Sequence, residues 1–204
     1  AFYYNGQLRS LASYQSVLAR AQTDADTVIV PDAVAEFTLG FDATATRVFV
    51  LPPLPDSLGA PSAGGTGLNN GSLGVRVERG GFELFLAGDG EIAANTRWRT
   101  MFASYTGNLD ALKVGHHAAN DAVFDNGFSG ASAWLQHVDP ALALVSANGT
   151  THPRENALAA LLARPGLRTV CTNTHGEIQI RVNPAGAYRV DVAQNAAAAC
   201  EAGQ

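Results

Sequence analysis

Lysine is nearly missing from this chain. Lys113 is the only one, and acidic residues outnumber basic ones to leave a net charge of −5. A groove that tracks a nucleic-acid backbone needs clustered Lys and Arg, and the nearest approach to a cluster is Arg97 with Arg99. Nucleic-acid binding therefore finds no support in the charge. Long hydrophobic runs are also missing: nothing reaches the roughly 18 consecutive apolar residues of a membrane helix, so no membrane span is expected. The opening Ala1-Phe2-Tyr3-Tyr4-Asn5 has no signal-peptide pattern. Charged residues make up 15% against 47% hydrophobic, a balance that excludes a disordered chain and fits a globular one.

Cysteine occurs twice, as Cys171 in the apolar run Thr169-Val170-Cys171-Thr172 and as Cys200 in an Ala-rich tail. Two readings stay open: a disulfide that pins the tail to the body, or one buried thiol and one unpaired tail cysteine. The first would place the protein in an oxidising, extracytoplasmic or secreted setting.

The 204 residues suffice for one good core, and neither a repeat nor a convincing linker divides them. Helical spacing of Leu8, Leu11, Tyr14, Leu18 and Ala21 predicts a helix over Gln7–Gln22. Strands are expected at Thr27–Val30, Ala35–Leu39 and Arg47–Leu51, followed by a long loop from Pro52 to Asn70. Arg79-Gly80-Gly81 marks a hairpin between Gly74–Glu78 and Phe82–Leu86. The second half alternates: a helix over Gly90–Ser104, a strand at Ala111–Val114, a helix over Gly130–His137 and a strand at Ala141–Ser146. A helix over Arg154–Leu162 and strands at Thr169–Thr172, Ile178–Val182 and Tyr188–Val192 complete it, and the tail after Ala193 is expected to fray. This alternation predicts a layered α/β domain.

Three polar sites each follow a short apolar run: Leu86-Ala87-Gly88-Asp89, Leu112-Lys113-Val114-Gly115-His116-His117 and Thr151-His152-Pro153. Buried strands deliver ligands to a sheet edge in this way. An Asp, a His pair and a further His suit a divalent ion of the zinc or manganese type, with Asp able to bridge two ions. Asp89 also reads as a helix N-cap, between glycines that allow close approach. His137 and His175 stand alone and read as structural or surface residues. Lys113, beside the His pair, is a candidate for contact with an anionic group, and Asn70 for a polar contribution at the site's rim, although Asn-Gly is first a turn signal. Together these residues suit metal-assisted hydrolysis, with a free His protonating the leaving group.

In order and spacing these segments resemble the metallo-β-lactamase superfamily. The likeness is nearest to the branch containing the metallo-hydrolase domain of the competence DNA-uptake protein ComEC and secreted phosphorylcholine esterases. The matching text is Asn70-Gly71-Ser72-Leu73, Phe85 to Asp89, Leu109 to His117, Ala141 to Ser146, His152-Pro153 and Thr172 to Ile178, within about Val48 to Val182. The resemblance implies an αββα sandwich with a metal site at one edge of its two sheets. By position, Asp89 resembles the bridging ligand, His117 the next ligand and His152 a ligand of the other ion. His116 would then support a ligand or face substrate and act, with Asp89, in catalysis, and which of His116 and His117 is the ligand stays open. Zinc is implied ahead of manganese, as one or two ions, with a phosphoester as substrate. Amide hydrolysis uses the same chemistry. A degenerate, non-catalytic binding module of the same fold and a nuclease linked to DNA uptake are the competing readings.

Two departures stand out. Ala118-Ala119 follows the His pair where the branch has Gly-Ser, and the early His-x-His-x-Asp-His motif is absent. The chain thus resembles the later portion of the fold: residues 1–47 as an N-terminal helix and strands, 48–192 as the best-matching region, 193–204 as tail. The missing ligands would come from an N-terminal segment or a second chain. Alternatively the site is degenerate, or Asp110, Asp121 or Asp125 completes it.

Overall fold

The computed structural model describes residues 1–4, 12–40, 45–53 and 69–203. The start of the expected first helix (7–11), part of the loop after Gly40 and most of the loop after Pro52 lie outside them.

The chain is α/β, built on a mixed seven-stranded sheet. Its strands are β3 (Ala35–Leu39), β4 (Thr46–Leu51), β5 (Gly74–Arg79), β6 (Phe82–Leu86), β7 (Ala111–Lys113), β8 (Leu142–Val145) and β9 (Arg168–Cys171), in spatial order of sequence. The pairs from β3 to β6 are antiparallel, and those from β6 to β9 are parallel. The switch follows from the connections. A two-residue Gly80-Gly81 turn, with φ of 57° and 95°, joins β5 to β6, as a tight hairpin turn with two left-handed residues requires. The parallel strands are linked by helical crossovers instead. These are α2 (Ile92–Met101) with α3 (Ala103–Thr106), then α4 (Asn120–Val123) with α5 (Ala133–Val138), then α6 (Glu155–Leu162).

Side chains alternate across the sheet. Phe49, Leu51, Phe85, Leu112, Ala143, Val145 and Cys171 share one core with Trp98 of α2, Trp134 and Leu135 of α5 and Leu158 and Leu161 of α6. Phe85, Trp98 and Trp134 pack ring against ring, with centroids 5.1 to 5.8 Å apart. The opposite face presents Phe82, Ala111, Leu142 and Val170, covered by the inward residues Ile178, Ile180, Val182, Tyr188, Val190 and Val192 of a second sheet. That sheet is the antiparallel hairpin β10 (Ile178–Val182) and β11 (Tyr188–Val192). It pairs with no further strand among the described residues. At the N-terminus, β1 (Phe2–Tyr3) and β2 (Val28–Ile29) form a short parallel pair flanking α1 (Ala12–Asp24), and the Tyr3 ring stacks on Phe37 of β3.

Several elements differ from the expectation. The helix over Gly90–Ser104 breaks at Phe102 into α2 and α3, and its N-cap is Glu91, not Asp89; the Glu91 side chain makes no capping bond. The helix expected from Gly130 begins at Ala133, where Ser132 accepts from the Leu135 amide, a side-chain cap that fixes the start. The tail does not fray: Cys200 is buried and bonded to Cys171. No helix of the described residues is long and apolar enough to cross a membrane.

Candidate metal centre

Because β6, β7, β8 and β9 run parallel, their C-terminal ends open on one edge of the sheet, where ligand sites of α/β sheets lie. Asp89 follows β6, His116 and His117 follow β7, and Ser146 and His152 follow β8. The structure brings Asp89, His116, His117 and His152 together there. The three imidazole centroids are 5.3 Å (His116–His152), 5.9 Å (His117–His152) and 6.4 Å (His116–His117) apart.

The His pair sits in a 3-10 turn over Gly115–Ala118, in an unusual conformation. His116, His117 and Ala118 have φ of 41°, 55° and 62°. Left-handed backbone costs L-residues roughly 1–2 kcal/mol each, so surrounding contacts must impose it. The His116 amide donates to Gly88 O (3.2 Å), and the Ala118 carbonyl accepts from the Arg154 amide (3.1 Å). The turn is thereby clamped between the Asp89 loop and the His152 loop, and its two successive rings lie with centroids 6.4 Å apart.

His117 Nδ1 lies 2.5 Å from Ser146 O and 3.2 Å from Ser146 Oγ. A carbonyl only accepts, so Nδ1 carries the hydrogen and Nε2 is left to face Asp89 Oδ1 at 3.5 Å. Held in this way by a backbone carbonyl, an imidazole presents its other nitrogen to a metal. Two ligand atoms each about 2.0–2.1 Å from a tetrahedral ion stand roughly 3.3 Å apart, so the Asp89–His117 separation fits an ion between them. His152 brings a third imidazole near this pair, with ring centroids 5.9 Å apart, but among the described residues Asp89, His117 and His152 do not form a group whose ligand atoms all lie within 4.8 Å of one another.

His116 turns the other way. Its Nδ1 is 3.0 Å from Glu91 Oε1 and 3.6 Å from Asp121 Oδ1. Glu91, His116 and Asp121 form a group whose ligand atoms all lie within 4.8 Å of one another, and it could hold a metal ion. Glu91 is 3% exposed. Its carboxylate accepts from Asn69 Nδ2 at 2.7 Å, with Asn70 Nδ2 at 3.5 Å. Burial raises the Glu91 pKa and nearby Asp121 adds to this, opposed by the Asn69 hydrogen bond and by His116. Asp121 Oδ1 is buried and has no hydrogen-bond partner. For His152, burial and then His116, Arg154 and His117 lower the pKa, with Asp121 opposing. The neutral imidazole that results is the form that binds metals.

Lys113 and Asn70 buttress these loops. Lys113 Nζ donates to Gly88 O (2.9 Å) behind Asp89, and burial lowers its pKa against the pull of Asp89. Asn70 Oδ1 accepts from the Ala94 amide of α2 (3.0 Å). Asp110 lies elsewhere, accepting from the Glu83 amide, and Asp125 accepts from the Ala133 amide. His175 is buried, with Nδ1 on the Cys171 amide and Nε2 on Ala198 O.

A cavity of about 290 Å³, lined by His117, Ser146, Ala147, Asn148, His152 and Thr172, adjoins the imidazoles. A larger one, about 660 Å³, lies by α1 and β1 and contains no histidine. Of the two, only the smaller is lined by histidines. Sequence reasoning missed Glu91. Glu91 has only one sequence signal, a carboxylate two residues after Asp89 at a helix start. The chain matches no protein-family model and no curated protein.

Proposed function

We propose that this chain is a metal-dependent hydrolase domain with a metallo-β-lactamase-like αββα architecture, acting on a phosphoester. The observation that carries the reading is the pair His117 and Asp89: Nδ1 fixed on Ser146 O, Nε2 turned to Asp89 Oδ1 at 3.5 Å, with His152 alongside.

Asp89, His117 and His152 would hold the ion, zinc ahead of manganese by donor type. When bound, it would supply Lewis acidity and a water of lowered pKa. The remaining chemistry falls to the chain's own groups. The carbonyl of Ser146 fixes the His117 tautomer. Lys113, on Gly88 O, holds the loop that aims Asp89. His116, 3.0 Å from the buried Glu91 carboxylate, is oriented to give a proton to a leaving oxygen. The cavity beside His117 and His152 receives the substrate.

A specific observation favours a second arrangement, with Glu91, His116 and Asp121 close enough to bind an ion themselves. His116 would then be a ligand and the centre would hold two ions. Further ligands supplied by an N-terminal segment or a partner chain are supported by the two-stranded second sheet, which pairs with no other strand among the described residues. The Cys171–Cys200 disulfide supports an extracytoplasmic setting.

The test is hydrolysis of a chromogenic phosphodiester by the zinc-loaded protein, compared with Asp89→Ala. The reading expects turnover that Asp89→Ala abolishes. Equal rates in both would overturn it.

A further inference from the structure

The tail is built as a strap over the loop that carries His152. After β11 the chain doubles back across α7 (Thr172–His175). The Ala193 amide donates to Glu177 O (2.9 Å), the Gln194 amide to His175 O (3.1 Å) and Asn195 Nδ2 to Thr174 O (3.0 Å). His175 Nε2 donates to Ala198 O (3.2 Å). The disulfide then fixes Cys200 to Cys171 at the end of β9. Beyond it, the Glu201 amide donates to Thr174 Oγ1 (3.1 Å) and Asn173 Nδ2 to Glu201 O (3.0 Å).

The strap ends on the His152 loop. The Gly203 amide donates to Pro153 O (2.9 Å). Gly203 lies so close that a Cβ would sit 2.8 Å from His152 N, 2.9 Å from Thr151 C and 3.0 Å from Thr150 C. These are backbone atoms, so only glycine fits without displacing the loop. From the other side the loop is tied to the His pair by the Arg154 amide on Ala118 O. Its own hydrogen bonds are local: the Thr150 and Thr151 amides on Asn148 Oδ1 and the Gly149 amide on His152 O. The strap and the His-pair turn thus restrain where His152 stands, beside the Asn173 side chain, which lies against Gly149 of the same loop.

We infer that the disulfide-anchored tail positions His152, with Gly203 as the positioning residue at the point of contact. The consequence for metal affinity rests on the reading of His152 as a ligand; the positioning itself rests on the contacts alone.

The experiment compares the full chain with Gly203→Ala, with Asn173→Ala, which removes the Nδ2 bond to Glu201 O together with the Asn173 contact on Gly149, with Asn195→Ala, which removes only the strap bond to Thr174 O and is expected to move the His152 signals in the same direction, and with Ala199→Ser, an exposed tail control. The His152 imidazole signals are read by NMR, assigned by their loss in His152→Ala, and zinc affinity and melting temperature are measured beside them. The inference expects the His152 signals to move in Gly203→Ala, Asn173→Ala and Asn195→Ala but not in Ala199→Ser. It also expects zinc binding about tenfold weaker in Gly203→Ala, the scale of an outer-shell support, when affinity is measured well below the melting temperature of every variant. His152 signals that superimpose on the wild type in both Gly203→Ala and Asn195→Ala would overturn it. If His152→Ala binds zinc as the wild type does, His152 is no ligand and the functional reading fails there, while the strap is still decided by the imidazole signals.

Discussion

His117 Nε2 faces Asp89 Oδ1 across 3.5 Å, while its Nδ1 is held 2.5 Å from Ser146 O. Charge-assisted hydrogen bonds between such groups are shorter, about 2.7–2.9 Å, whereas ligands sharing one zinc ion stand at about the observed distance. Substitution of either residue is therefore expected to act on metal affinity first. His117→Ala and Asp89→Ala should each lose zinc binding in calorimetric titration while the fold, read by far-ultraviolet circular dichroism, persists. Both side chains are more than two-fifths exposed, so neither belongs to the core.

Glu91 separates the two arrangements of the centre. Its buried carboxylate meets His116 Nδ1 at 3.0 Å and Asn69 Nδ2 at 2.7 Å. If His116 is the proton donor and Glu91 its orienter, Glu91→Gln should lower turnover about 10- to 100-fold with zinc stoichiometry unchanged. If Glu91, His116 and Asp121 bind an ion, the same substitution should remove one ion per chain. Elemental analysis beside kcat distinguishes them.

The disulfide closes a sequence separation of 29 residues. Loop-closure entropy for that length corresponds to about 3–4 kcal/mol of stability. A dithiol that reduces Cys171–Cys200 to two thiols should lower the denaturation midpoint accordingly. A Cys171→Ala/Cys200→Ala protein should start from the lower midpoint and be insensitive to the reductant.

His137 gives a pH dependence away from the centre. Its Nε2 is 2.9 Å from Thr106 Oγ1, and burial, then Arg99, lowers its pKa. The unfolded chain, titrating near pH 6.5, then binds more protons than the folded chain just below that pH. Stability contributed by neutral His137 is present above about pH 6.5 and lost as pH falls toward the lower folded value. Denaturant midpoints between pH 7 and pH 5 should fall less steeply in His137→Gln than in the wild type. Parallel slopes would contradict this.

Much of the sheet was legible in the residues. Gly80-Gly81 between alternating runs fixes the β5–β6 hairpin, and the apolar runs ending at Asp89, the His pair and Ser146 place three parallel strand ends on one edge. Clustering of the polar sites follows from that topology. The left-handed His116-His117-Ala118 turn was not legible, because Gly88 O and the Arg154 amide impose it from distant segments. Nor was the role of Glu91: a carboxylate at a helix start reads as a cap, whereas here Asn69 and His116 engage it. The tail's composition suggested fraying, and Cys200 with Gly203 overrides composition through contacts at Cys171 and Pro153.

The most direct measurement is the elemental metal content of the protein from its native source, per mole of chain, followed by zinc titration of the wild type and His117→Ala. A hydrolase of the kind proposed should carry about one or two ions per chain and lose them with His117. Near-zero content, with no zinc taken up on titration, would contradict it and leave a non-catalytic binding module of the same fold.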